Sequence, residues 1–470
     1  MTNWLPDISE GPGPIYVRIA DRIENAIDTG TLPVGDKLPP QRDLAYDLGV
    51  TIGTISRAYA LARERGLVSG EVGRGTYVLA NNVEGPAEVI NLRDVPAGTR
   101  VSPQTAGALR FDTTAPNIGQ ADIIERHICE IMRENRDEYI GYIQSIPDSW
   151  LEAGRMWLST RSWQPEKENI VSTLGAHAAL MSAIVAVTSP GDRIVMEELT
   201  YASVARSTAV YGRRVVTVES DSDGFDPAAF EAVCAQQHPR AAFLVPVNQN
   251  PTGITMPESR RRAIAEVAKR YNVWLIEDAV YDTLALNPLP RIAEFAPDRT
   301  FVVNCLSKSV GAGIRGGWIA CPPHMAGRVL NAHKLITGGK PYLTSELAAR
   351  LVLSGDAESI RQKSRNVVAG RVNKVRQAFD GFEFTASDYC PFIWLELPDP
   401  WKSSEFRKAA AEDGVLVDDE DEYKPLRTNR MFHRVRIGFS MPRNEIEMDT
   451  GLSVIRALLS STAITPDSYS

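Results

Sequence analysis

Between residues 15 and 27 apolar side chains recur at Ile15, Ile19, Ile23 and Ile27, and Gly30 follows. That spacing predicts an amphipathic helix stopped by the glycine. Leu38-Pro39-Pro40 breaks the chain ahead of a second helix over residues 41–48. Gly49 then predicts a tight turn, and Thr51 is placed to cap a third helix running to about Arg65. A small residue at Ala45, a glycine at Gly49 and an apolar residue at Ile55 have the spacing of a helix-turn-helix. The runs at 66–68 and 73–78 predict two short strands joined by a tight hairpin, a wing. Residues 80–110 mix proline, glycine, asparagine and threonine and read as a linker with one short strand at 88–92. From residue 111 onward the pattern changes. Apolar, β-branched runs at 170–173, 193–196, 242–247, 273–276, 300–306 and 317–322 alternate with helical stretches. Alternation of that kind predicts an α/β domain with a mainly parallel sheet. The expected division is therefore 1–79 as a winged helix-turn-helix, 80–110 as the linker and 111–470 as the large domain.

Composition narrows the setting. The chain has 470 residues, 43% hydrophobic and 23% charged, as expected of a soluble globular protein. Its net charge of −8 gives no global attraction to nucleic acid. The stretch from Lys37 to Arg74 differs: six basic residues (Lys37, Arg42, Arg57, Arg63, Arg65, Arg74) face four acids. A local surplus of that sign fits phosphate contacts from Arg42, Arg57 and Arg74. Thr51, Thr54 and Arg57 would face the major groove from the third helix, and Arg74 with Gly75 would carry the wing to the duplex. The first residues carry prolines and acids without an apolar core, and the apolar run near 178–187 is too short to cross a bilayer. A cytoplasmic protein without a membrane partner is expected. Five scattered cysteines form no CxxC pair, which argues against a disulfide frame or a zinc site.

The chemistry concentrates at the ends of the predicted strands. Residues 304–319 read NCLSKSVGAGIRGGWI, with Lys308 and Arg315 among small residues and between two buried strands. A charge so placed needs a partner or a purpose. A lysine in apolar surroundings becomes a nucleophile towards carbonyls, and an arginine suits a phosphate. Gly175-Ala176 opens a helix after the strand at 170–173, and the positive end of a helix also suits a phosphate. Tyr201, then Asn248-Gln249-Asn250-Pro251-Thr252-Gly253, then Asp278 and Tyr281 each follow a predicted strand. Ligands bind at such C-terminal strand edges in open α/β sheets. The acidic run 418–422 (DDEDE) reads as a solvated loop, and His177 as a packing residue.

Two resemblances follow from these residues. GDKLPPQRDLA (35–45), TISRAY (54–59) and GRGTYV (73–78) resemble the winged helix of GntR-type bacterial regulators. The Asn-Pro-Thr-Gly, Asp278-x-x-Tyr281 and Ser307-Lys308…Arg315 set, in this order, resembles fold-type I pyridoxal-phosphate enzymes of the class I/II aminotransferase group. A chain with both resembles the MocR subfamily. That resemblance implies that Lys308 carries pyridoxal 5'-phosphate as an internal aldimine and that Asp278 pairs with the pyridinium nitrogen. Asn250 and Tyr281 would bond the phenolic oxygen, and Tyr201 would stack on the ring. Gly175, Ala176 and Arg315 would hold the phosphate, joined by Tyr142 reaching into a neighbouring subunit, and Ser307 would be a further cofactor-binding residue. Arg436, in RIGFS, would clamp a substrate or effector carboxylate. It further implies a head-to-tail homodimer, a double-stranded DNA operator and a small amine or amino-acid effector. Cys305 stands where the family has Ser or Thr, and residues 143–148 depart from its usual turn. The catalytic set looks intact, so an aminotransferase that carries a DNA-binding domain is the alternative. Operator, effector and sign of regulation are not written in the chain.

Overall fold

The computed structural model describes residues 4–8, 14–71, 75–79, 107–143 and 145–461. The N-terminal unit has helices α1 (Ile15–Asp28), α2 (Gln41–Asp47) and α3 (Ile52–Glu64), then strands β1 (Val68–Glu71) and β2 (Gly75–Val78). Ile19, Ile23, Leu44, Ala45, Ile55 and Ala58 all have under 4% exposure and close its small core. The apolar spacing noted above thus becomes one packed face per helix. Thr51 caps α3, its hydroxyl accepting the Thr54 N–H at 3.2 Å. β1 and β2 pair antiparallel. The expected strand at 88–92 lies outside the described residues, as do Arg74 and most of the connecting stretch.

The large unit is built on seven strands in the spatial order Ile170–Thr173, Gly317–Ala320, Thr300–Cys305, Trp274–Asp278, Ala241–Leu244, Arg193–Glu197 and Arg214–Val218. Only Gly317–Ala320 runs antiparallel to its neighbours. Strands 170–173, 241–244 and 300–305 are buried at every position, so both faces of the sheet must be covered. The helix Gly175–Val187 is apolar all round and lies in that core. No helix among the described residues is long and apolar enough to cross a membrane.

A second sheet lies beside the first: Phe384–Thr385, Phe392–Glu396, Arg434–Gly438 and Asp418–Asp419, all antiparallel. Here the structure corrects the sequence. Asp418, Asp419, Glu420 and Glu422 are buried, not solvated. Each has a cation: Arg436, Arg407 and Arg206, brought from elsewhere in the chain, answer Asp418, Asp419 and Glu422, and Lys424, just past the run, answers Glu420. A charge run looks like a surface loop only while its counter-ions are unknown.

Residues 111–114 thread between the small sheet and the C-terminal helix Glu445–Ser460. Gly438 N–H donates to the Phe111 carbonyl at 2.7 Å, and the Phe111 ring is wholly buried. A Cβ on Gly451 would stand 2.1 Å from that ring. Gly451→Ala is therefore expected to lower stability by about 1–3 kcal/mol through overpacking. Urea unfolding followed by tryptophan fluorescence would show it as a lower midpoint at unchanged slope; an unchanged midpoint would contradict the packing described.

Candidate functional site

The parallel strands deliver their C-terminal ends to one edge, and the chemistry-bearing residues collect there. Trp274–Asp278 ends in Asp278, which is 4% exposed. Its Oδ1 accepts a hydrogen bond from the Val280 N–H at 3.2 Å. Burial pushes its carboxyl up to about 7, a rise opposed by the Val280 N–H and the nearby Lys308 ammonium. Lys308 follows the strand Thr300–Cys305 and donates from Nζ to Thr114 Oγ1 at 2.9 Å. Thr114 Oγ1 also lies 3.2 Å from Tyr281 Oη, and Lys308 Nζ lies 5.7 Å from the Tyr281 ring centroid. Tyr281 is buried, and burial pushes its phenol up to about 12. Lys308, Thr114 and Tyr281 thus form one hydrogen-bonded group facing Asp278.

A second group surrounds Gly175. Its φ of +77° is a left-handed turn that favours glycine, and a Cβ there would come 3.4 Å from the Arg315 guanidinium. The preceding Leu174 peptide is held at both ends. His333 Nε2 accepts its N–H at 3.1 Å, and Arg315 Nη2 donates to its carbonyl at 3.4 Å. Burial, with Lys340 nearby, pushes His333 down to about 4, so it stays a neutral acceptor. The N-terminus of the helix Gly175–Val187, with Ala176 in its first turn, therefore faces an exposed guanidinium. Tyr201 precedes the helix Ala202–Val210, with its ring edge-on to His177 at 6.1 Å. Ser307 is buried in the turn before Lys308. A basic cradle at a helix start, and a buried carboxylate opposite a lysine, have the donor set that a phosphorylated pyridine aldehyde requires. The residues present fit that group.

Arg436 lies deeper. Nη1 donates to Asn250 Oδ1 at 2.8 Å, and Nη2 to the Asp112 carbonyl at 2.9 Å and to Asp418 Oδ2 at 2.7 Å. Arg436 and Asp418 side chains are 4% and 2% exposed. Removing one partner of so buried a pair typically costs about 3–5 kcal/mol. Asn250 itself is fixed through its neighbour. Gln249 Nε2 donates to Glu197 Oε2 at 3.0 Å, and Gln249 Oε1 accepts from Thr252 N at 3.0 Å. Tyr142 is 92% exposed and stands outside this group within the chain. Thr114, His333 and Asp418 are the site residues the sequence did not disclose.

On the N-terminal unit Arg42, Thr51 and Arg57 are exposed and Thr54 is half-buried. Thr51 and Thr54 hydroxyls lie 2.9 Å apart at the start of α3, and Gly75 opens β2. Tyr46 (88% exposed) and Ile52 (50%) share this surface, an apolar contribution the sequence did not single out.

Asp278 has a consequence for stability. Its folded carboxyl titrates near 7 against an ordinary 3.8. Over the interval between, the folded state holds a proton that the unfolded state has lost. Stability therefore falls as pH rises from about 4 to about 7. Asp278→Asn is expected to raise the Tm of the cofactor-free protein at pH 8 and to flatten that fall, read by thermal unfolding across the range. An unchanged pH profile would mean that the carboxyl is not desolvated as described.

The whole-chain comparisons agree with this geometry. Residues 153–448 match the family "Aminotransferase class I and II", and residues 15–78 match "Bacterial regulatory proteins, gntR family". The HTH-type transcriptional regulator YdeF of Bacillus subtilis is 28% identical over 458 residues, 97% of each chain. PdxR of Corynebacterium glutamicum, named as a pyridoxine biosynthesis transcriptional regulator, is 28% identical over 77% of this chain and 78% of its own. Among solved structures, the α-aminoadipate aminotransferase LysN of Thermus thermophilus superposes with a TM-score of 0.67 at 20% identity, covering 76% of this chain and 95% of its own. With the model of that family covering more than half of its length, the chain belongs to the aminotransferase class I and II family, here joined to a gntR-type helix-turn-helix in the architecture of the MocR regulators.

Proposed function

We propose that this protein is a transcription regulator that uses pyridoxal 5'-phosphate to sense a primary amine, and that it binds operator DNA through α3 and the wing. The observation that carries this reading is the presence, in one chain, of an exposed helix face at Thr51 and Arg57 and of a half-buried Lys308 near the buried Asp278 at the strand ends. The working division is 1–79 for DNA, 80–110 as connection and 111–470 for the cofactor, in a cytoplasmic head-to-tail dimer.

Lys308 would hold the cofactor's aldehyde carbon. Asp278 would face the pyridine nitrogen, Asn250 and Tyr281 the phenolic oxygen, and Tyr201 the ring. Gly175, Ala176, Ser307 and Arg315 would bind the phosphate, with Tyr142 supplied by the other copy. Bound there, the cofactor supplies an electrophilic carbonyl towards amines and an electron-withdrawing ring. Thr114 accepts from Nζ of Lys308 and links it to the Tyr281 hydroxyl, a chain along which a proton can pass. Asp278 would keep the pyridine nitrogen protonated, which in turn gives its buried charge a partner. A ligand can move the DNA-binding units only through a difference in its affinity for two arrangements of the dimer. The relative named for pyridoxine biosynthesis is consistent with a cofactor-linked signal.

The full set of Lys308, Asp278 and Asn250 also favours a second reading, an aminotransferase with turnover. Full-length protein with pyridoxal phosphate, a panel of amines and a 2-oxo acid separates the two. Sensing is expected to give a change in the cofactor spectrum that stalls, with little keto product; sustained product through many cycles would overturn the regulator reading. Lys308→Ala is expected to lose the adduct that borohydride traps, and a retained adduct at the same site would sink the assignment. Arg57→Ala is expected to weaken binding to a duplex selected by the wild-type protein by about tenfold and to lower the salt slope by about 1. Unchanged affinity would remove α3 from the interface.

A further inference from the structure

Asp418 and Arg436 are opposite each other on neighbouring antiparallel strands, in register. Opposed residues share a face, so the backbone itself brings carboxylate and guanidinium together. Aromatic rings and a phenol hydroxyl flank the pair. Tyr423 Oη donates to Asp418 Oδ2 at 2.5 Å. The Arg436 guanidinium carbon lies 5.1 Å from the Tyr423 ring centroid and 5.3 Å from that of Phe392. Its two terminal nitrogens are engaged by Asn250, Asp112 and Asp418. The acids that follow are already balanced, Asp419 by Arg407, Glu420 by Lys424 and Glu422 by Arg206. The positive charge at Arg436 is thus matched inside the chain.

We propose that Asp418 determines the ligand class of this pocket. By holding Arg436 in a neutral, buried pair, it selects primary amines whose carbon next to nitrogen bears no carboxylate. This rests on the cofactor reading given above and deepens it. Two states compete. In one, a ligand carboxylate takes Arg436 and leaves Asp418 buried beside a second negative charge. In the other, the pair stays intact and the ligand presents an uncharged or cationic tail. Like charges side by side in a water-poor site, and a buried carboxylate stripped of its cation, both weigh against the first. Without Asp418 the same guanidinium would be a conventional carboxylate clamp.

The test uses full-length protein loaded with pyridoxal phosphate and three matched pairs, each an amino acid and its decarboxylated amine: alanine and ethylamine, phenylalanine and phenethylamine, leucine and 3-methylbutylamine. Isothermal titration gives the Kd of each, and the cofactor spectrum confirms the site. In the wild type, the amine of at least one pair is expected to bind about tenfold or more tightly than its amino acid. Asp418→Asn keeps the shape, removes the charge and is expected to shift that ratio about tenfold or more towards the amino acid. Amino acids that bind as well as their amines, a ratio unmoved by Asp418→Asn, or no binding by any of the six to a cofactor that borohydride traps at Lys308 would each overturn the proposal while leaving the cofactor reading standing. If borohydride traps nothing at Lys308, the cofactor reading falls and this one with it. Should Asp418→Asn fail to fold, the wild-type ratios decide alone.

Discussion

A buried guanidinium has to be answered by groups the chain brings to it, and Arg436 is answered from three directions. Asn250 arrives on the loop after a strand of the large sheet, Asp418 from the neighbouring strand of the small sheet, and the Asp112 carbonyl from the segment that enters the large unit. One side chain therefore ties the two sheets and the entering segment at a single point. If any of the three shifted away, a charge would be left in a medium of low dielectric, an outcome far more costly than a lost surface contact. The loop bearing Asn250 is thereby held to the small sheet, against which the Tyr281 ring also packs through Phe392.

Much of the fold was legible because burial writes a plain signal. The runs at 170–173, 300–305 and 317–320 are continuous apolar stretches bounded by small residues, and they became strands close to where the pattern put them. α1 and α3 followed their periodicity and their stop and start residues, Gly30 and Thr51. Lys308, Asp278 and Tyr281 were findable for a related reason: a polar residue set at the end of an apolar run has few structural explanations. Thr114 and His333 had no such context. A threonine in an extended stretch and a histidine on a helix are ordinary, and their meaning comes only from what the tertiary fold brings to them, Lys308 in one case and the Leu174 amide in the other. The acidic run 418–422 misled by the same mechanism. Sequence shows the carboxylates in a row but hides Arg206, Arg407 and Arg436, which lie far away along the chain.

The two halves of the chain handle charge differently. The helix-turn-helix displays Arg42 and Arg57 to solvent, where their fields reach a polyanion and are weakened by salt. The large unit buries Arg436 and Asp418 against each other, where salt has little access. The proposed operator binding should therefore respond to ionic strength more steeply than the buried Arg436–Asp418 pair does, although both belong to one chain.

The segment 111–114 is only four residues long, yet each part of it touches something different. The Phe111 carbonyl accepts from Gly438, the Asp112 carbonyl from Arg436, and the Thr114 hydroxyl from Lys308. In sequence it comes soon after the stretch that leads from the DNA-binding unit. The chain thus enters the large unit through the ligand site rather than past it. Any shift of that segment would have to be shared by the arginine, the lysine and the small sheet, like a drawstring threaded through three eyelets.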